Sequence, residues 1–342
     1  GTARITNEEC NPYSIHYAYD TVAMAKGTGS AVVKQGGKSW YFLTADYAFG
    51  TSLENDTTAV VKANGGTVKG AVRHPLSASD FSSFMLQAQA SGAQILGLAN
   101  AGGDTVNSIK AANEFGVTGT MKLAGLLMFI NDVHALGLGQ TKGMYLTDSW
   151  YWDQSDESRK WAQRFFDKMK KMPSSLQAAD YSATIQYLNA VKTAGTDDGA
   201  KVMDALRKQK VNDMYAKNGY YRADGSMIHD MFLMQVKDPK ESKKPWDYLK
   251  VVQTISGEQA FTTKAETITK HYMPEVFEIS VNMPPSNSGL QVNVKFKSFL
   301  TDPSEIVQVH PLVFTTTTLY PIFSFQFAMI GCLWRFGFFV WW

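Results

Sequence analysis

The sequence predicts an α/β protein built on an open, doubly wound parallel sheet. Three observations carry this reading. Strand-type and helix-type segments alternate at a steady spacing between 39 and 148. The strand segments are near-continuously apolar, as expected where helices cover both faces of a sheet. The loops that follow several of these strands are polar, glycine-rich or aromatic, and such sheets take ligands at the carboxyl ends of their strands.

The elements follow in order. "SWYFLT" (39–44) reads as a buried strand, and "TSLENDTTAVVKANGG" (51–66) as a helix with Leu53, Thr57, Val60 and Val61 on one face and Gly65-Gly66 as its stop. "TVKGAV" (67–72) is a second strand. Ser79 or Asp80 is placed to cap the helix "FSSFMLQAQASG", which Phe81, Phe84, Met85 and Ala88 make amphipathic and Gly92 ends. "QILGLA" (94–99) is a third strand, followed by "NAGGD" and the helix "TVNSIKAANEFG" (105–116). "KLAGLLM" (122–128) and "KGMYLTD" (142–148) are two further strands.

Three helical segments come next. In 156–171, Trp161, Phe165, Phe166 and Met169 share a stripe; in 175–195, Ile185, Tyr187, Leu188 and Val191 do the same. The segment 196–209 opens with Thr196 and acidic residues, which suit a helix N-terminus. The period then changes. "NGYYRADGSMIHDMFLMQVK" and "WDYLKVVQTIS" read as antiparallel strands, with Asp224-Gly225 as a tight turn.

Composition narrows the function classes. A chain of 342 residues with 44% apolar residues can build one large or two ordinary domains. The net charge of +2 is scattered, without the basic block that tracks phosphates, so nucleic acid is not an expected partner. Two cysteines, Cys10 and Cys332, are too few for a disulfide framework. The six histidines lack metal-ligand spacing, so no zinc is expected.

Three motifs come close to cofactor or catalytic signatures and fail. Gly37-Lys38-Ser39 resembles the end of a phosphate loop, but Val32 stands where its first glycine belongs and a strand follows in place of a helix. "GTGSAV" (27–32) has Val32 in place of the third glycine of a dinucleotide fingerprint; Ala23, Gly27 and Ala31 instead permit close helix packing. No Gly-x-Ser-x-Gly elbow is present. With neither triad nor cofactor loop, the reading is of a non-enzyme without cofactor.

What remains are the loops "ADYAFG" (45–50), "NAGGDT" (100–105) and "DSWYWDQ" (148–154). Helix N-termini beside the first two favour an anionic group such as a carboxylate. Tyr47, Phe49, Trp150, Tyr151 and Trp152 supply flat apolar walls for a small molecule, or pack the sheet edge.

The segments "SWYFLTADYAFG", "GAVRHPLSASDFSSFMLQAQASGAQILGLANAGGDT", "GLLMFINDVHALGL" and "KKPWDYLKVVQTI" together resemble the periplasmic solute-binding proteins of ABC importers, of the branched-chain amino acid-binding type. The resemblance spans 1–267. It implies a type I periplasmic-binding-protein-like fold: two α/β lobes joined by a hinge and closing on a ligand between them. It also implies an amino acid, amide or aromatic acid as ligand, an ABC permease in the membrane as partner, no catalysis, and a periplasmic or extracytoplasmic location. A ligand-sensing regulator or receptor domain of the same fold is the alternative, and an α/β enzyme the third reading.

Carried onto this chain, the family's ligand loops place Ala3 at the end of a first-lobe loop. They place Asp46, Tyr47, Phe49, Asn100, Asp104 and Met128 in second-lobe loops; Trp150, in the loop after the fifth strand, is a candidate as an aromatic wall and not by the resemblance. The resemblance divides the chain into a first-lobe remnant (1–20), a second lobe (21–150), a return to the first lobe and hinge (151–267) and a tail without family pattern (268–342). It implies an N-terminal truncation, a partial first lobe and no signal peptide in this chain. Within the tail, 311–334 is uncharged and meets the length test for a membrane span, though four consecutive threonines and two prolines weaken a helical reading.

Overall fold

In a computed structural model, residues 1–263 are described in full; beyond them it describes the backbone of five strands, Phe277–Asn282, Leu290–Phe296, Leu312–Phe314, Gln326–Met329 and Cys332–Arg335. The chain divides into two compact units, Gly1–His271 and Tyr272–Trp342. In the second, the first three of these strands form an antiparallel sheet and the last two a hairpin. Most of the uncharged run 311–334 lies outside the described residues. Among the described residues, no helix is long and apolar enough to cross a membrane.

The first unit opens with a short 3-10 turn (Ala3–Thr6) and an extended segment. Helix α1 (Thr21–Met24) starts where the Asp20 carboxylate accepts a hydrogen bond from Ala23 N at 2.7 Å. A π turn (Ala25–Gly29) carries it into α2 (Ser30–Lys34). Gly27 lies in that turn because the backbone there touches a strand: a Cβ would come within 2.2 Å of Thr147 Oγ1. Gly27 thus permits the close packing the sequence predicts, and Ala23 is fully buried, while Ala31 is only half-buried.

The central sheet is parallel, in the order β2-β1-β3-β4, from β1 (Ser39–Ala45), β2 (Thr67–His74), β3 (Ile95–Ala99) and β4 (Lys122–Gly125). Strand alternation sorts its side chains into two cores. Trp40, Phe42, Ile95 and Ala99 face α3 (Ala48–Ala63) and pack with Leu53 and Val61. Leu43, Leu96 and Leu98 face α4 (Ser82–Ala90) and α5 (Gly103–Glu114) and pack with Met85 and Ile109. The doubly wound reading therefore holds.

Several boundaries differ from the expectation. α3 begins at Ala48, because Tyr47 already takes extended cap geometry. α5 begins at Gly103, with Gly102 as cap. The cap of α4 is Phe81; Asp80 Oδ1 instead accepts from Ser82 N at 2.8 Å. β2 is an edge strand whose side chains alternate between exposed and half-buried, so it is not covered on both faces. β4 stops at Gly125, and α6 (Ile130–Leu136), followed by α7 (Leu138–Thr141), had no counterpart in the sequence reading.

β5 (Tyr145–Asp148) does not extend the parallel sheet. Further along the chain come α8 (Asp156–Met169), α9 (Ser175–Ala194), α10 (Gly199–Arg207) and a small antiparallel sheet of β6 (Lys210–Val211), β7 (Gly219–Tyr221) and β8 (Met227–Ile228). β9 (Met231–Val236) then pairs antiparallel with both β5 and β10 (Leu249–Ile255), giving the order β10-β9-β5, and α11 (Gly257–Ala260) follows.

α9 turns the unexpected face inward. Its buried residues are Ser175, Ala178, Ala179, Ser182, Gln186 and Ala190, while Leu188 is 53% and Ile185 38% exposed. Alanines let α10 approach closely, and two of the polar members share a partner: Ser182 Oγ donates to Asp213 Oδ2 at 2.6 Å and Gln186 Nε2 to the same oxygen at 3.3 Å. On α8, Trp161 is buried as predicted but Met169 is exposed.

Candidate functional site

Parallel pairing places the carboxyl ends of β1 to β4 at one rim of the sheet. The loops that leave this rim are held by a saturated polar network. His74 Nδ1 lies 2.8 Å from Pro75 O, which fixes the proton there and leaves Nε2 to accept from Asn100 Nδ2 at 3.1 Å. Asn100 Nδ2 also donates to Ser108 Oγ at 3.0 Å, and Asn100 Oδ1 accepts from Thr105 Oγ1 at 2.8 Å. Ser108 Oγ donates to Asp104 O at 2.6 Å. Fully buried and satisfied, Asn100 ties the β2 and β3 loops to the first turn of α5.

That turn presents Asp104, whose Oδ2 accepts from Ser77 N at 3.1 Å. Tyr47 is close enough for the Asp104 charge to act on it: burial first, then this carboxylate, raise the Tyr47 hydroxyl above its ordinary range. The Tyr47 and Phe49 rings lie 5.8 Å apart. Tyr19, just before α1, completes the group; its ring is 6.0 Å from that of Phe129. Burial pushes the Tyr19 hydroxyl up to about 12, with Asp148 and Tyr47 adding to the shift.

Asp148, at the end of β5, is fully buried and is pushed up to about 7 by burial. The Ser149 N–H, 2.7 Å from Oδ1, opposes that shift, and Asp132 adds to it. Asp132 caps α6, accepting from Phe129 N at 2.8 Å, and burial raises it also. The result is a rim with aromatic walls from Tyr19, Tyr47 and Phe129 and the Asp104 carboxyl, with the buried Asp148 carboxyl near enough to act on Tyr19.

The sequence-derived residues distribute as follows. Tyr47 and Asp104 stand together at the rim, with Phe49 beneath them in the core. Ala3 is buried beside α1, its N–H donating to Thr21 Oγ1 at 3.1 Å, and the preceding Gly1 rests on the Phe49 and Tyr19 rings. Asp46 is exposed, 4.0 Å from Arg73. Met128 is buried with its sulfur against Gly125. Trp150 is buried too, its Nε1 donating to Met214 O at 2.9 Å and Ser158 Oγ at 3.1 Å, edge-on to Trp161. Tyr19, Phe129 and Asp148 were missed. Asp148 opens the quoted loop "DSWYWDQ", but nothing in the sequence shows its burial; Phe129 ends the segment "AGLLMF" (124–129), from which the resemblance points to Met128, and Tyr19 lies outside the loops singled out.

Chemically, the rim suits a small ligand with an apolar body and charged ends. Carboxylates can hold an ammonium, and the N–H groups of a helix first turn, as at the starts of α3 and α5, suit a carboxylate. Among the described residues, no group of three or more His, Cys, Asp or Glu could hold a metal ion.

A parallel, doubly wound sheet with a polar and aromatic rim at its strand ends is the architecture in which α/β proteins take small molecules. Residues 1–243 match the family described as "Periplasmic binding protein", and the chain belongs to that family, with its type I fold. A periplasmic binding protein from Burkholderia mallei is 73% identical, with a TM-score of 0.77 over 78% of this chain and 71% of that one. A branched-chain amino acid ABC transporter periplasmic ligand-binding protein from Burkholderia xenovorans is 38% identical, with a TM-score of 0.69 over 78% of this chain and 72% of that one. A Leu/Ile/Val-binding protein homolog from Brucella melitensis is 26% identical over 215 residues, 58% of this chain and 52% of the relative. The chain thus spans about half the length of the curated relatives it matches. The family consists of solute-binding proteins.

Proposed function

We propose that the protein is the extracytoplasmic substrate-binding component of an ABC importer, taking a branched-chain amino acid or a related small amide or aromatic carboxylate. The observation that carries this reading is the carboxyl rim of the parallel sheet, where the half-exposed Tyr47 ring and the Asp104 carboxylate, held by Ser77 N, stand at the ends of neighbouring strands. The likeness to the Burkholderia xenovorans ligand-binding protein supports the ligand class.

In this reading the Asp104 carboxylate takes the ligand ammonium. The N–H groups opening α3 and α5 take its carboxylate. Tyr19, Tyr47 and Phe129 enclose the aliphatic side chain, and a membrane permease receives the liganded protein. Closure around the ligand is driven only by the difference in ligand affinity between open and closed states.

Thermal unfolding of the full chain with leucine, isoleucine, valine, their amides and benzoate tests the ligand class. A ligand present at a hundred times its Kd stabilises by about 2.7 kcal/mol, a shift of several degrees. If none of these compounds raises the Tm while the protein unfolds cooperatively, the proposed ligand class is wrong.

A further inference from the structure

His74 ends β2 and reaches both loops that carry the rim residues Tyr47 and Asp104. Its carbonyl accepts from Asp46 N at 2.9 Å, where the chain leaves β1. Its ring is fully buried, edge-on to Phe81 with centroids 5.0 Å apart and 6.2 Å from Phe84, and turns its Nε2 to Asn100.

The protons around this ring are fixed by one carbonyl. Ser108 Oγ donates to Asp104 O, so it has only lone pairs to offer Asn100. Asn100 therefore turns Nδ2 toward Ser108 and Oδ1 toward the Thr105 hydroxyl. The second Nδ2 hydrogen points at His74 Nε2, which must accept it, and the His74 proton lies on Nδ1 against Pro75 O. Only the neutral Nδ1–H ring fits, because a proton on Nε2 would face the Asn100 NH2 group.

Ser77, further along the same loop, makes a second link. Its backbone takes the left-handed region, at φ 57°, which is costly for a residue with a Cβ. Its N–H meets Asp104 Oδ2 at 3.1 Å. Asp104 is thus held directly by Ser77, and from behind, through Asn100, by His74.

We propose that His74 is a positioning residue for the ligand: as a neutral Nδ1–H imidazole it orients Asn100, and Asn100 sets the first turn of α5 so that Asp104 meets the ligand ammonium. This role rests on the rim being the ligand site, as proposed above. Removing the Nε2 acceptor leaves a buried Asn100 N–H without a partner. The amide then turns and releases Thr105 and Ser108, because members of such a network hold one another. Neither His74 nor Asn100 touches the ligand; both act through Asp104.

The test compares the full chain with His74→Gln and His74→Phe. Glutamine places an acceptor oxygen near the Nε2 position. Phenylalanine keeps the ring packing against Phe81 and Phe84 but has no acceptor. Leucine affinity is measured by isothermal titration near neutral pH and well below each Tm. It is read beside hydrogen exchange of Val106, whose N–H donates to Gly102 O at the start of α5, and beside the ring nitrogen NMR signals of His74 in the free parent. The parent is expected to show a bare Nε2. His74→Phe is expected to bind leucine about fivefold more weakly, the worth of one hydrogen bond, and to exchange faster at Val106. His74→Gln is expected to restore both. A merely structural role would lower the Tm of His74→Phe and leave its leucine affinity unchanged. A proton on Nε2, parental affinity in His74→Phe, or a His74→Gln variant as weak as His74→Phe would each overturn the proposal. If the parent binds no leucine, the ligand class alone fails, and equal Val106 exchange in all three proteins would overturn the positioning role.

Discussion

Tyr47 and Phe49 sit two residues apart at the carboxyl end of β1, with rings 5.8 Å apart, yet Tyr47 is 39% and Phe49 8% exposed. The turn from β1 into α3 separates them: the cap residue faces the rim, and the first-turn residue enters the core beside Leu53 and Met24. Tyr47→Ala is therefore expected to raise the ligand Kd about tenfold, ~1.4 kcal/mol, with less than about 1 kcal/mol of stability lost. Phe49→Ala is expected to cost about 3 kcal/mol of stability. Calorimetric titration beside denaturant unfolding separates the two effects; equal stability losses would show that both rings are core.

Asp148 gives the fold a pH dependence of known sign. Its pKa is pushed from 3.8 to about 7, so between these values the folded chain keeps a proton that the unfolded chain releases. This contribution is fully present below pH ~4 and is lost as pH rises through about 7. Asp148→Asn keeps an oxygen to accept from Ser149 N and has no charge to bury. Its stability relative to the parent is expected to climb between pH 5 and 8 by about 2–4 kcal/mol. His16 and Asp20, shifted to about 4 and about 6, contribute equally to both proteins and cancel in the difference. A difference that stays flat with pH would mean that the Asp148 carboxyl titrates normally.

Gly27 and Thr147 fix how closely the π turn approaches β5. A Cβ at Gly27 would meet Thr147 Oγ1 at 2.2 Å, Cγ2 at 2.6 Å and Cβ at 2.9 Å. Gly27→Ala is expected to cost about 2–3 kcal/mol by denaturant unfolding. Thr147→Ala in the same chain removes the first two collisions and leaves the third, so it should restore part of that loss. No loss in the single variant would show that the turn can move away.

The exposed side of α9 is expected to bear polar replacement. Ile185→Lys with Leu188→Lys should change stability by less than about 1 kcal/mol and reduce self-association seen by sedimentation. A loss above 2 kcal/mol would mean that this face is covered in solution.

The sequence-structure differences have identifiable causes. The strands were legible because β1 and β3 are buried on both faces, so that apolar runs and strands coincide. β5 is mostly buried like its neighbours, but a buried strand says nothing of direction, and only its pairing with β9 shows that it leaves the parallel sheet. The apolar stripe of α9 misled because Ser182 and Gln186 are buried with a partner, Asp213, that lies far along the chain. At the rim, Tyr47 and Asp104 were legible as loop residues after strands. Tyr19 and Asp148 were not, because their importance rests on burial and on neighbours distant in sequence.

The central claim is that Asp104, at the carboxyl rim of the sheet, holds the ammonium of an amino acid. Isothermal titration of leucine into the full chain and into Asp104→Asn tests it most directly, because asparagine still accepts from Ser77 N and leaves the loop intact. The account predicts saturable binding by the parent and at least tenfold weaker binding by the variant, with matching Tm values in the absence of leucine. Equal leucine affinity in the two proteins would contradict it.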